Sequence, residues 1–337
     1  MQNGFLLGVD IGTYSSKGVL VTTDGKVVFK SSIPHKVSIP KPGWMEHDAD
    51  NVWMHDFLFV VKDLLNKSGI DPSEILSLGV SSIASATLLL DKDRNPVRPS
   101  ILYGVDTRTT EEVKEINRDL NTFVTNQNIP PKLRWVQKNE PEVWAKVRHI
   151  MSGHHYIIMR LTGEINQNIN DMANYFPIFD EMKIEWKSEY FDYFNLTAEM
   201  LPKPVWSHEV VGHINKEGAA LCGLREGTPV VGGANDSAVE AISGGVTIPG
   251  DMMQMYGSSN IYFLITDGPF KGERLQSRRS ITRDRYGVGG GLATVGSLTT
   301  WFRNVLGCEE MAAEQSGGEN AFAALSKLAY DSKIGSN

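Results

Sequence analysis

Short apolar runs open the chain, and their lengths predict strands before any helix. Residues 5–9 are continuously apolar, residues 19–21 form a second run, and residues 26–32 alternate apolar with polar. Asp24-Gly25 is a strong hairpin signal, so the segment reads as an antiparallel meander. The period then changes: Val52, Trp53, Phe57, Val60, Val61, Leu64 and Leu65 recur at helical spacing within residues 51–66. Residues 75–80 and 87–90 return to strand-like runs, with the small residues Ser81 to Ser85 between them. From 110 to 201 the signals are mainly helical. Trp135, Trp144, Tyr156 and Leu161 are expected in packing, and Leu161-Thr162-Gly163-Glu164 reads as a helix end. Near Pro229 a buried-type strand runs through Gly232-Gly233 to Asp236, followed by a helix at 237–242. Residues 252–263 repeat the opening theme, with Gly257-Ser258-Ser259-Asn260 between two apolar runs, and 297–306 begins an amphipathic helix.

A chain of 337 residues is long for one average domain and fits two, which we place at 1–245 and 246–337. The net charge of -7 argues against nucleic acid or an anionic membrane as the main partner. The two cysteines, Cys222 and Cys308, are too few for a disulfide framework and have no metal-ligand spacing around them. No signal pattern and no apolar run of bilayer-spanning length is visible, so a cytoplasmic location is the default expectation.

Two stretches carry candidate chemistry. In the first, Asp10 ends an apolar run and Gly12, Thr13, Tyr14, Ser15 and Ser16 follow. A glycine there admits close backbone approach, and hydroxyls with turn N–H groups cradle an anion. A carboxylate at the mouth of such a cradle repels phosphate unless a cation lies between, so the pattern points to phosphate with Mg2+ held largely through waters. An ordinary hairpin turn is the plain alternative. In the second, Asp236 stands at a strand-to-helix junction, either as a helix cap or as a general base facing a cleft. The helix N-terminus is expected to depress its pKa and keep it ionised. Asp106 and Arg108 read equally as a pair capping the helix near Thr110. His47 and His55 have no partners at metal spacing, and solvated or capping roles are expected. Neither a Rossmann fingerprint nor a P-loop is present, since the Gly cluster at 287–296 lacks the lysine.

These stretches together resemble the FGGY family of carbohydrate kinases, the xylulokinase, ribulokinase and glycerol kinase group. The matches are GVDIGTYSSKGVLV at 8–21, GWMEHDADNVW at 43–53, ATLLLDKDRNPVRPSILYGVDTR at 86–108, RLTGE at 160–164, EGTPVVGGANDSAVEAISGG at 226–245 and YGSSNIYF at 256–263. The resemblance implies an α/β, actin-like ATPase (ribonuclease H-like) fold of two domains, and phosphorylation of a sugar or polyol, with a pentulose such as xylulose or ribulose foremost. Asp10, Gly12, Thr13, Tyr14, Ser15, Ser16 and Lys17 match the first phosphate loop, with Asp10 at the Mg2+, and Gly257, Ser258 and Ser259 match the second. ATP is the implied co-substrate. Asp236 matches the general base, and Ser82, Ala84, Tyr103, Asp106, Asn235, Asp236 and Ser237 fall in the sugar-facing stretches. Ala84 stands where xylulokinases carry a substrate-facing histidine, a departure that bears on the sugar. The family's chains continue past position 337 through a Gly-rich adenosine segment, so a C-terminally truncated member with an incomplete second domain is expected. A homodimer is compatible with this reading, and a non-catalytic sugar-binding or regulatory member, or an inactive fragment, is the alternative.

Overall fold

The computed structural model describes residues 4–256, 260–270, 272, 277–292, 295–330, 332–333 and 335. Two compact units emerge, one of residues 1–243 with 278–286, the other of residues 244–277 with 287–337. The second unit thus begins at 244 where the sequence placed 246, and residues 278–286 return to the first.

The meander forms as expected. Strands β1 (Phe5–Ile11), β2 (Ser15–Thr22) and β3 (Val27–Pro34) pair antiparallel. On the other side of β1, β4 (Ile75–Ser82) pairs with it in parallel. The strands β5 (Pro229–Val231) and β6 (Ala234–Asn235) then pair in parallel with β4, and Val210–His213 closes the edge antiparallel to β5. Alternation along β1 buries Leu7, Val9 and Ile11 in one core with Phe57, Val60, Val61 and Leu64 of helix α1 (His55–Ser68). Each such side chain contributes about 1.5–3 kcal/mol relative to exposure. The helical spacing predicted at 51–66 resolves into a wide turn at Ala49–Met54, whose N–H groups at Asp50 and Asn51 donate to Asp48, and then α1 itself, closed by left-handed Gly69.

Thr87–Leu90 does not extend the main sheet. It pairs antiparallel with His149–Ser152 and meets Ser100–Ile101 in a second sheet that also takes Glu46–His47. Residues 110–201, read as mainly helical, hold Thr110–Asp119, Ile129–Asn139 and α2 (His154–Thr162), together with short strands at His149–Ser152 and Asn166–Asn168. A second core around Trp135, Tyr175 and Phe194 belongs to this part, with Trp144 packed against it.

In the second unit, Met252–Tyr256 and Asn260–Thr266 pair antiparallel, and the Gly-rich stretch forms the strand Tyr286–Leu292 beside them, which belongs to this unit from residue 287. Helices Gly296–Leu306, Cys308–Gln315 and Ala321–Ala329 follow. No helix among the described residues is long and apolar enough to cross a membrane.

Candidate active site

Strands β1, β4 and β6 run parallel and end together. Their register sets Asp10 beside Ser81 and Ser81 beside Ala234, with Ile11, Ser82 and Asn235 in the next row. Open α/β sheets bind ligands just outside such carboxyl ends. Ser81 Oγ donates to Asp10 Oδ1 at 2.8 Å, and Oδ2 accepts no hydrogen bond among the described residues. Lys17 faces Asp10 across the hairpin. Beside them opens a cavity of about 790 Å³ within the first unit, lined by Asp10, Lys17, Ser81, Val239, Ile281 and Arg283 among others.

The turn between β1 and β2 closes through Gly12 N–H donating to Ser15 O at 3.0 Å. A Cβ on Gly12 would lie 2.8 Å from that carbonyl, so the hairpin itself requires glycine. Thr13 Oγ1 lies 3.2 Å from the Tyr103 hydroxyl, and Tyr14 is exposed. Ser16 departs from expectation: β2's alternation turns it into the core, where its hydroxyl donates to Asp56 Oδ2 at 2.7 Å. Thr13 and Ser15 therefore supply the accessible hydroxyls. His47 also departs, being 1% exposed instead of solvated, while His55 keeps to the surface.

Asp236 opens helix α3 (Asp236–Ser243). Asn235 is the residue that caps it, its Oδ1 accepting from Ala238 N at 3.0 Å and Ser237 Oγ at 2.8 Å. The capping role considered for Asp236 is thus already filled. Burial pushes the Asp236 pKa up to about 7 against the Ser237 N–H, and the Asp10 charge adds to the rise. The expected depression is corrected here: lost hydration outweighs the helix N-terminus.

Behind the cap, Asn235 Nδ2 donates to Asp171 Oδ1 at 3.0 Å and to the Asn170 side chain. Asp171 is buried with His154 and His155, a trio whose ligand atoms lie within 4.8 Å of one another. Asn168 Nδ2 sits among them, 3.3 Å from His154 Nε2 and 3.0 Å from both His155 Nε2 and Asp171 Oδ2. The two protons of this amide are shared among the three groups, and His155 Nδ1 has no hydrogen-bond partner among the described residues. Burial pushes both imidazoles down to about 3, which keeps them neutral. Ser82 belongs to this network too: its Oγ accepts from His154 N at 2.8 Å and meets Nδ1 at 2.9 Å, so it supports α2 instead of facing a sugar. Sequence reasoning missed these groups. The polar run at 166–171 resembles a solvated loop, and the one available signal was the His-His pair opening a largely apolar helix.

Ala84 is half-buried, and the next residue, Ser85, holds a left-handed φ of 61°. Gln127 Nε2 donates to Ser85 Oγ at 3.0 Å and Lys132 Nζ to Ser85 O at 2.9 Å, and Gln127 Oε1 accepts from Gly104 N at 3.0 Å. Burial lowers Lys132 to about 7. Asp106 is corrected as a sugar contact. It is 1% exposed, and its carboxylate accepts from Met45 N at 2.7 Å and Arg108 Nη2 at 2.7 Å. Arg108 in turn reaches Glu46 at 2.8 Å and lies over the Trp44 ring. Gly257, Ser258 and Ser259 lie outside the described residues.

The family model for the N-terminal domain of the FGGY family of carbohydrate kinases matches residues 5–243. A xylulose kinase of Bacillus subtilis is 28% identical over 265 residues, 76% of this chain and 52% of that protein. A glycerol kinase of Thermococcus kodakarensis is 27% identical over 322 residues, 89% of this chain and 62% of its own length. Among solved structures, a xylulose kinase from Rhodospirillum rubrum superimposes with a TM-score of 0.89 at 28% identity, covering 99% of this chain and 68% of that one. The chain spans between about half and two thirds of the length of these curated relatives.

Proposed function

This chain belongs to the FGGY family of carbohydrate kinases, with the actin-like ATPase fold, and we propose that it transfers the terminal phosphoryl group of ATP to a hydroxyl of a sugar or polyol. The observation that carries the reading is the convergence of Asp10 and Asp236 at the carboxyl ends of β1 and β6, close enough for the first charge to raise the second pKa. Phosphoryl transfer asks a protein chiefly for positioning and charge neutralisation. Asp236 accepts the proton of the attacking hydroxyl, and Asn235, held by Asp171, sets the helix start from which Asp236 projects. Thr13, Ser15 and Lys17 serve the phosphates. The names of the relatives make a pentulose or glycerol the first substrates to try, and Ala84 leaves a non-polar position in the sugar-facing stretch.

The donor set fits Mg2+: a carboxylate with a free Oδ2 beside an anion-binding turn is the hard-oxygen environment that a mostly hydrated Mg2+ takes. When bound, the ion neutralises phosphate charge. Asp10→Asn is expected to weaken Mg·ATP binding about 10-fold or more, the scale of a charge-assisted contact, with sugar binding unchanged. Calorimetry in which the variant matches the parent contradicts the assignment.

The direct test incubates the chain with Mg·ATP and a panel of pentuloses and polyols, and follows ADP and sugar phosphate. A sugar that raises the melting temperature while no ADP forms favours a non-catalytic sugar-binding member. The base also predicts a pH profile. Asp236 must be deprotonated to accept a proton, so kcat/KM should rise with pH through about 7 and then level. A profile flat between pH 5 and 8 removes Asp236 from the role.

A further inference from the structure

Two imidazole rings converge on one backbone carbonyl at the tip of the first turn. His35 Nε2 lies 3.0 Å and His47 Nε2 3.1 Å from Thr13 O, and the rings meet edge to face. Their outer nitrogens dictate where the protons sit. Trp53 Nε1–H donates to His47 Nδ1 at 3.0 Å, which leaves the His47 proton on Nε2, aimed at Thr13. His35 Nδ1 faces the Asp56 carboxylate at 2.7 Å, so both of its nitrogens lie against oxygen acceptors. Burial pushes His47 down to about 4, and His35 beside it adds to the fall, which keeps His47 neutral. Thr13 O thus receives the His47 donor and has His35 Nε2 within hydrogen-bond distance as well. A trans peptide holds its C=O and N–H on opposite sides. With Thr13 O drawn inward, the Tyr14 N–H is turned outward, and it donates to nothing among the described residues.

We propose that His35 and His47 are positioning residues of the phosphate site, fixing the Thr13–Tyr14 peptide so that the Tyr14 N–H donates to a phosphate oxygen. The inference rests on reading residues 12–16 as a phosphate loop. Sequence spacing gave neither histidine a role, because the two act through one backbone atom that brings them together only in the fold.

The experiment titrates the whole 337-residue chain with Mg·ATP, following heat and the Tyr14 amide resonance. In the parent, binding should shift that amide. His47→Phe keeps the ring but loses the donor, and affinity should fall about 10-fold, the worth of one charge-assisted hydrogen bond, with sugar affinity unchanged. His47→Gln retains an N–H for Thr13 and an acceptor for Trp53, and should restore affinity to within about twofold. A folded His47→Phe chain that binds as the parent does overturns the proposal. So does a parent whose Tyr14 amide stays still while Mg·ATP binds, a result that needs no variant. A parent that binds no Mg·ATP overturns the phosphate-loop reading itself, and this inference with it.

Discussion

On the proposed role, Asp236→Asn is expected to lower sugar phosphorylation by about 10²- to 10⁴-fold, the usual worth of a positioned general base, and to leave sugar affinity within a few-fold. Asparagine keeps the size of the side chain and an oxygen for the Ser237 N–H that Asp236 holds at 2.7 Å, but it accepts no proton. The cap of α3 stays on Asn235, so the helix start survives. Stability separates this outcome from general damage. The folded-state pKa of Asp236 is raised to about 7, so its favourable contribution is present below the unfolded value and lost as pH climbs through 7. Above that, the parent holds an ionised carboxylate where burial disfavours one. The variant has no charge there, so at pH 8 it should melt higher than the parent, with the gap closing towards pH 4. Turnover within a few-fold of the parent would leave Asp236 as an ordinary first-turn residue. A variant melting lower than the parent at pH 8 would contradict the burial argument.

Periodicity carried the reading of the fold as far as local rules reach. The meander, α1, the break at Gly163 and the strand-to-helix step at Asp236 follow from side-chain spacing and turn residues, which report on neighbours a few positions away. Thr87–Leu90 was legible as a strand but not as a member of a second sheet, because its partner is His149–Ser152, some sixty residues on. Site residues divide the same way. Asp10 and Asp236 stand out because each ends an apolar run. Ser16, Ser82 and Asp106 have the right chemistry in sequence but face inward, and only the pleat and the three-dimensional partners reveal it. Asp171 and Asn168 were invisible, and His154 showed only as half of a His-His pair, because buried polar groups that bond to one another leave no periodic trace.

Gly233→Ala should be among the most damaging single changes that add only a methyl group. The chain leaves β5 at Val231 and must turn before β6 to bring Asn235 and Asp236 to the end of the sheet. Gly233 makes that turn with φ at +67°, and a Cβ there would lie 2.1 Å from Val80 O and 2.9 Å from His154 Cδ2. The first of these atoms is backbone in β4, the central partner of β1, β5 and β6, so it moves only if the sheet shifts. The second belongs to the buried ring that holds Ser82. Left-handed strain costs about 1–2 kcal/mol, and the displacement of packed backbone brings the total to about 3–5 kcal/mol, a large share of the roughly 5–15 kcal/mol typical of a native protein. Gly227→Ala supplies the control: its φ is +86°, but nothing lies within 4 Å of the added Cβ, so it meets the strain alone. Urea unfolding of the two variants compares them directly. Equal midpoints would mean that the turn at Gly233 yields without moving β4, and that the close approach there does not hold Asp236 in place.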